Sequence, residues 1–211
     1  MTISANFYAS QNHDAHAAHA SLHPIHRALR DALRWIPQPV TMTCDVAVHA
    51  AHDAGLLTPG TRIEVVYLDY GTSRPSLIQT GSWVSWTPGH GGASSWVIRY
   101  DGQLHDTHGM MLNGAHLRIE DAFSEERRAL ERAACAMLRA TDAMERHEEL
   151  REAGTITTKP GLWIDSAETH LREATWELAT LSDRSHRHRQ LGRLLSRAQT
   201  RFEGLAIPAA S

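Results

Sequence analysis

Between Pro24 and Trp35 the apolar residues fall at Ile25, Ala28, Leu29, Ala32 and Leu33, and Ile36 continues the row. That is the three-and-four spacing of one helix face. Pro24 suits a first helical turn, and Pro37 and Pro39 end the run. A shorter helix is predicted for TCDVAVHAAHDAG, Thr43 to Gly55, with Thr41 or Thr43 as its cap. Its apolar side is Val46, Ala47, Ala50, Ala51 and Ala54, and Gly55 takes the left-handed position that closes it. The period then changes. After the turn Leu57-Thr58-Pro59-Gly60, RIEVVYLDY (62–70) and SLIQTGSWVSW (76–86) read as strands or a strand pair, with Gly81 marking a bulge or a close backbone approach. Beyond the glycine-rich loop 88–92, residues 95–107 read as a hairpin turning at Asp101-Gly102. One face of the resulting antiparallel sheet, about four strands over residues 62–107, is expected to be buried.

Past Gly114 the texture becomes helical again. Ile119 to Ala153 carries charge pairs at helical spacing. Asp165 to Phe202 forms a second long helix, interrupted by Gly192 and by the basic run Arg184 to Arg189. The expected fold class is α+β: a helical layer carrying Cys44, packed on an antiparallel sheet, followed by a long helical hairpin. The expected boundaries are a histidine-rich flexible segment at 1–22, an α+β domain at 23–115 and the hairpin at 116–211.

Composition narrows the functions. A formal net charge of -3 gives no electrostatic reason to expect nucleic acid or an anionic membrane. The cluster from Arg184 to Arg197 could touch phosphates, but because Glu168, Glu173, Glu177 and Asp183 precede it, it is read as a solvated face. No stretch approaches the roughly 18 apolar residues that span a bilayer. MTISANFYASQ lacks the basic and apolar regions of a signal peptide. Two cysteines, Cys44 and Cys135, do not make a disulfide framework, so a reducing cytoplasm is the expected location. His13, His16, His19, His23 and His26 recur at a spacing that suits Zn, Ni or Cu. No thiolate joins them and Asp14 is their only carboxylate, so they are read as a tail without a metal site. His49 and His52 lack a third ligand at a useful spacing and are read as a partly exposed helix face. No cofactor is expected.

The candidate chemistry lies at Cys44, at the start of its helix, where free backbone N–H groups and the helix dipole favour a thiolate. Cys135, between Ala134 and Ala136 in the long helix, reads as a small core residue. The segments TCDVAVHAAHDAGL and WVIRYDGQLHDTHG together resemble the papain-like superfamily, in its transglutaminase-like or NlpC-type branches. The similarity covers about 80 residues, from about Ala28 to Gly109. It implies Cys44 as nucleophile and Asp106 as the acid that orients a base histidine. The family carries that histidine beside the Trp-Val pair, where this chain has Ser94 and Ser95. His90 is the first candidate for the base, since Gly91 and Gly92 let its loop fold back. His108 is the second, and loss of the base is the third alternative.

Two functions follow from the resemblance. One is a cysteine-dependent acyl-transfer enzyme, a peptidase, amidase, deamidase or transglutaminase, acting on a peptide or amide. The other is a degenerate papain-like domain that binds a peptide or protein. The C-terminal helices add a third expectation, an interaction surface for a partner or an oligomer.

Overall fold

A computed structural model describes residues 24–34, 36–68, 75–87, 95–110, 115–154, 161–181 and 186–206. The histidine-rich segment 1–22, His90 and Ser94 lie outside them, as do Arg184 and Ser185 of the basic run. In chain order the described elements are α1 (Pro24–Leu33), β1 (Thr41–Met42), α2 (Asp45–Asp53), β2 (Arg62–Leu68), β3 (Pro75–Thr87), β4 (Ser95–Tyr100), β5 (Thr107–Met110), β6 (Ala115–Ile119), α3 (Ser124–Glu152), α4 (Gly161–Thr180) and α5 (His186–Ala206). The chain is α+β and forms two compact units. One contains Pro37–Ser124 and the other contains residues 24–36 and 125–206.

In the first unit six antiparallel strands follow the order β1-β6-β2-β3-β4-β5. The core gathers where α2 lies on the sheet. Val48 and Ala51 of α2, Leu57, Ile63 and Val65 of β2, Trp83 of β3, Trp96 and Ile98 of β4 and Leu117 of β6 form one buried cluster. β2 is buried on its other face too, at Glu64 and Val66, so the run Ile63 to Val66 shows no alternation of burial. That is why IEVV reads as a continuous core strand with a single charge inside it.

β3 is one strand of 13 residues, not a pair. Gly81 marks a close approach: a Cβ there would lie 2.5 Å from the Arg99 carbonyl oxygen and 3.0 Å from Tyr100 Cα. The register shift falls later, between Trp83 and Ser85. Strict alternation would put Trp83 and Trp86 on opposite faces. The shift brings Trp86 opposite Trp96 and packs it against the same core as Trp83.

β6 corrects the expected boundary at 115. Ala115 and Leu117 are buried on a strand that pairs with both β1 and β2, so the sheet unit extends past the strands at 62–107. The helix expected from Ile119 starts at Ser124. There the Asp121 carboxylate accepts from Phe123 N–H at 2.9 Å, and Ser124 Oγ accepts from Asp121 N–H at 2.8 Å, a reciprocal start signal.

The second unit is helical. Among the described residues the hairpin expected after 116 is three helices, with α4 ending at Thr180 and α5 starting at His186, ahead of Gly192, which lies inside α5. α1 packs on α5 and so belongs to this unit; it is not part of the sheet domain expected at 23–115. Its expected stripe is buried at Ile25, Ala28, Leu29, Ala32 and Ile36. α4 and α5 pack together, with Gln199 Nε2 donating to Thr175 Oγ1 at 3.2 Å. Arg132 of α3 faces Glu177 of α4, and Arg201 of α5 pairs with Glu148 of α3.

Candidate functional site

Cys44 is the N-cap of α2, one residue before its first turn, with extended backbone at φ -153° and ψ 162°. Its carbonyl accepts from the N–H groups of Ala47 (3.0 Å) and Val48 (3.2 Å). Its thiol makes no capping bond and is exposed. Neither threonine takes the cap, since Thr41 lies in β1 and donates its hydroxyl to the Pro39 carbonyl. At the other end, Gly55 takes φ 72° and donates to the His52 carbonyl, so the helix stops where the sequence places its stop.

The buried side of α2 differs from the expected stripe. Val48 and Ala51 are buried, whereas Val46 is 77% exposed and Ala50 and Ala54 are also exposed. The large side chains that reach the sheet are the two histidines. His49 meets Trp86 edge-on, with ring centroids 4.2 Å apart, and His52 lies 6.1 Å from Trp83 and 6.2 Å from Trp86. His52 Nδ1 is 3.2 Å from the Leu57 carbonyl. A carbonyl only accepts, so Nδ1 carries the proton and fixes the tautomer. These partly exposed imidazoles pack α2 against the tryptophans. Among the described residues, no three His, Cys, Asp or Glu side chains are grouped as for a metal ion.

Asp106 lies just before β5, in the loop that closes the β4–β5 hairpin. The hairpin turns at Asp101-Gly102, where Gly102 has φ 78°, but residues 101–106 separate the strands. Both ends of this loop are tied. Asp101 binds Arg62 with both oxygens (2.6 and 2.7 Å) and accepts the Thr80 hydroxyl. That bond holds the Arg62 guanidinium above its ordinary range. Asp106 accepts from Arg99 Nε at 2.7 Å, so its carboxylate is engaged by a guanidinium.

Sheet order separates the two residues that the family resemblance joins. Cys44 follows β1 and Asp106 precedes β5, the two edges of the sheet, with four strands between them. The edge strands themselves are five steps of about 4.8 Å apart, roughly 24 Å along the sheet. His108 pairs with Val97 in β5, at the Asp106 edge.

A second polar group lies on the sheet face opposite the Trp83 core. Glu64 is fully buried, and Arg118 Nη1 stands 3.7 Å from its Oε2. His116, two residues from Arg118 on β6, is half-buried, and its imidazole is held below the ordinary histidine range by burial and then by the Arg118 charge. On the Trp83 side, Tyr67 and Tyr100 share a 3.0 Å hydroxyl contact. Burial, and then that bond, raise the Tyr100 phenol. Reasoning from the sequence named none of these groups. The available signal was one charge inside each apolar strand, Glu64 in IEVV and Arg118 in HLRI.

No family model, curated protein or solved structure matches the chain. No helix among the described residues is long and apolar enough to cross a membrane.

Proposed function

We propose that the unit of residues 37–124 is a binding module for an extended peptide or protein segment, on a papain-like or transglutaminase-like ground plan without its acyl-transfer chemistry. The observation that carries this reading is the separation of Cys44 from Asp106 across the sheet, with Asp106 committed to Arg99. Acyl transfer needs an imidazole oriented beside the thiol, as the base that activates it and the acid that protonates a leaving amine, and the carboxylate assigned to orient it is bonded to Arg99. Kinship with the papain-like group is supported by the order of elements, a short helix with cysteine at its start followed by antiparallel strands. β5 supports the binding role. It pairs only with β4 among the described residues, and an edge strand suits pairing with an added strand.

One observation favours the acyl-transfer reading with Cys44 as nucleophile: the thiol is exposed at a helix start. An activated acyl ester and a panel of peptide amides separate the two. The binding module predicts no burst and no turnover beyond that of Cys44→Ala, together with peptide affinity that Cys44→Ala leaves unchanged. A Cys44-dependent burst overturns it in favour of acyl transfer.

A further inference from the structure

The interface between α3 and α4 holds a carboxylate that is almost fully buried. Glu177 of α4 is 4% exposed. Arg132 of α3 brings Nε to 3.0 Å from its Oε1, while Oε2 is buried with no hydrogen-bond partner. The Arg132 side chain is 42% exposed, so solvent weakens what it returns to a buried anion. Glu173, one turn earlier on α4, adds like charge. On α5, which packs along α4, Leu191 and Leu195 are buried while Arg193 and Arg197 are exposed. Among the described residues, the charges that bear on Glu177 are Arg132 from α3 and Glu173 from its own helix.

We propose that Glu177 is a proton-operated latch of the helical unit, tightening the α3–α4 contact when its carboxyl is neutral and loosening it when ionised. A neutral carboxyl tolerates this dry site far better than an anion with one oxygen unsolvated. Burial is also the main cause that holds its pKa above the ordinary carboxylate value, against the opposing pull of Arg132. The folded form therefore binds the proton more tightly than the unfolded chain. The stabilisation is full below the ordinary carboxylate range and is lost as pH rises through the raised value.

The test compares full-length wild type with Glu177→Gln in denaturant unfolding from pH 4 to pH 8, alongside a carbon-13 titration of the Glu177 carboxyl in the wild type. In acid the two proteins should match. Towards neutral pH the glutamine variant should show a several-fold smaller unfolding constant, and the carboxyl should titrate above the ordinary glutamate value. A gap that is the same at every pH, a variant less stable at neutral pH, or an ordinary titration overturns the latch. The titration decides alone if the variant does not fold.

Discussion

Arg99 Nε donates a 2.7 Å hydrogen bond to Asp106 Oδ1, joining β4 to the end of the loop that leads into β5. The carboxylate that the family resemblance would set behind a catalytic imidazole is occupied in holding a hairpin. The pair is largely in water, its side chains 59% and 31% exposed, so its part in stability is small. Asp106→Asn should leave the melting temperature within about 3 °C of wild type. It should also leave the alkylation rate of Cys44 by iodoacetamide unchanged. A tenfold change in that rate would restore the coupling that sheet order argues against.

Gly81 is expected to resist substitution by the smallest side chain. The obstacle is backbone, the Arg99 carbonyl and Tyr100 Cα, which cannot swing away as a flexible side chain can. Gly81→Ala should force β3 and β4 apart locally and cost about 1–3 kcal/mol, the range for overpacking. Gly192→Ala, where a Cβ meets nothing within 4 Å, should be neutral or stabilising in its helix. Thermal melts of the two variants check the contrast, and equal melting temperatures would count against the close approach.

Leu117 tests the boundary between the units. It is fully buried on β6, paired with Met42 on one side and Val65 on the other, so the sheet core passes through a segment that sequence texture assigns to the helices. Leu117→Ala should cost about 2–5 kcal/mol, whereas Leu104→Ala, at a residue 92% exposed, should cost almost nothing. A chain cut after residue 115 removes Leu117 with most of β6 and should lose the near-ultraviolet dichroism of Trp83 and Trp96. A native-like spectrum would show that β6 is dispensable.

What the sequence discloses depends on whether a segment's local pattern is also its tertiary role. The α1 stripe and Gly55 were legible because apolar spacing and a positive φ are local demands. β6 was hidden because AHLRI has only five residues and runs into a strongly helical stretch, which extends the helical period backwards through Ile119. The face of α2 is only partly legible, at Ala47 and Ala51, because alanine gives weak direction. Val48 and two histidines, held by tryptophans 31 to 37 residues further along the chain, decide which side turns inward. The candidate site depends still more on long-range order. Cys44 lies at a helix start as the family motif describes, but Asp106 falls in the loop before β5 instead of on the strand, and β6 inserts between β1 and β2.

His116 gives the sheet unit a pH dependence whose sign follows from its surroundings. Its imidazole is half-buried on β6, across from Val66, with Arg118 two residues along and the Glu64 carboxylate across from Arg118. Burial is the larger cause and the Arg118 charge the smaller, and both disfavour imidazolium, so the folded pKa lies below the ordinary 6.5. The unfolded chain binds this proton more tightly than the folded one. Stability from this group is therefore fully present above pH 6.5 and declines as pH falls towards the depressed folded value. His116→Gln keeps a neutral side chain of similar reach and should lose less stability than wild type between pH 7.5 and pH 5. Denaturation midpoints at the two pH values measure the difference. A wild type that loses no more than the variant over this interval would mean that His116 is protonated at little cost and that Arg118 is already neutralised by Glu64.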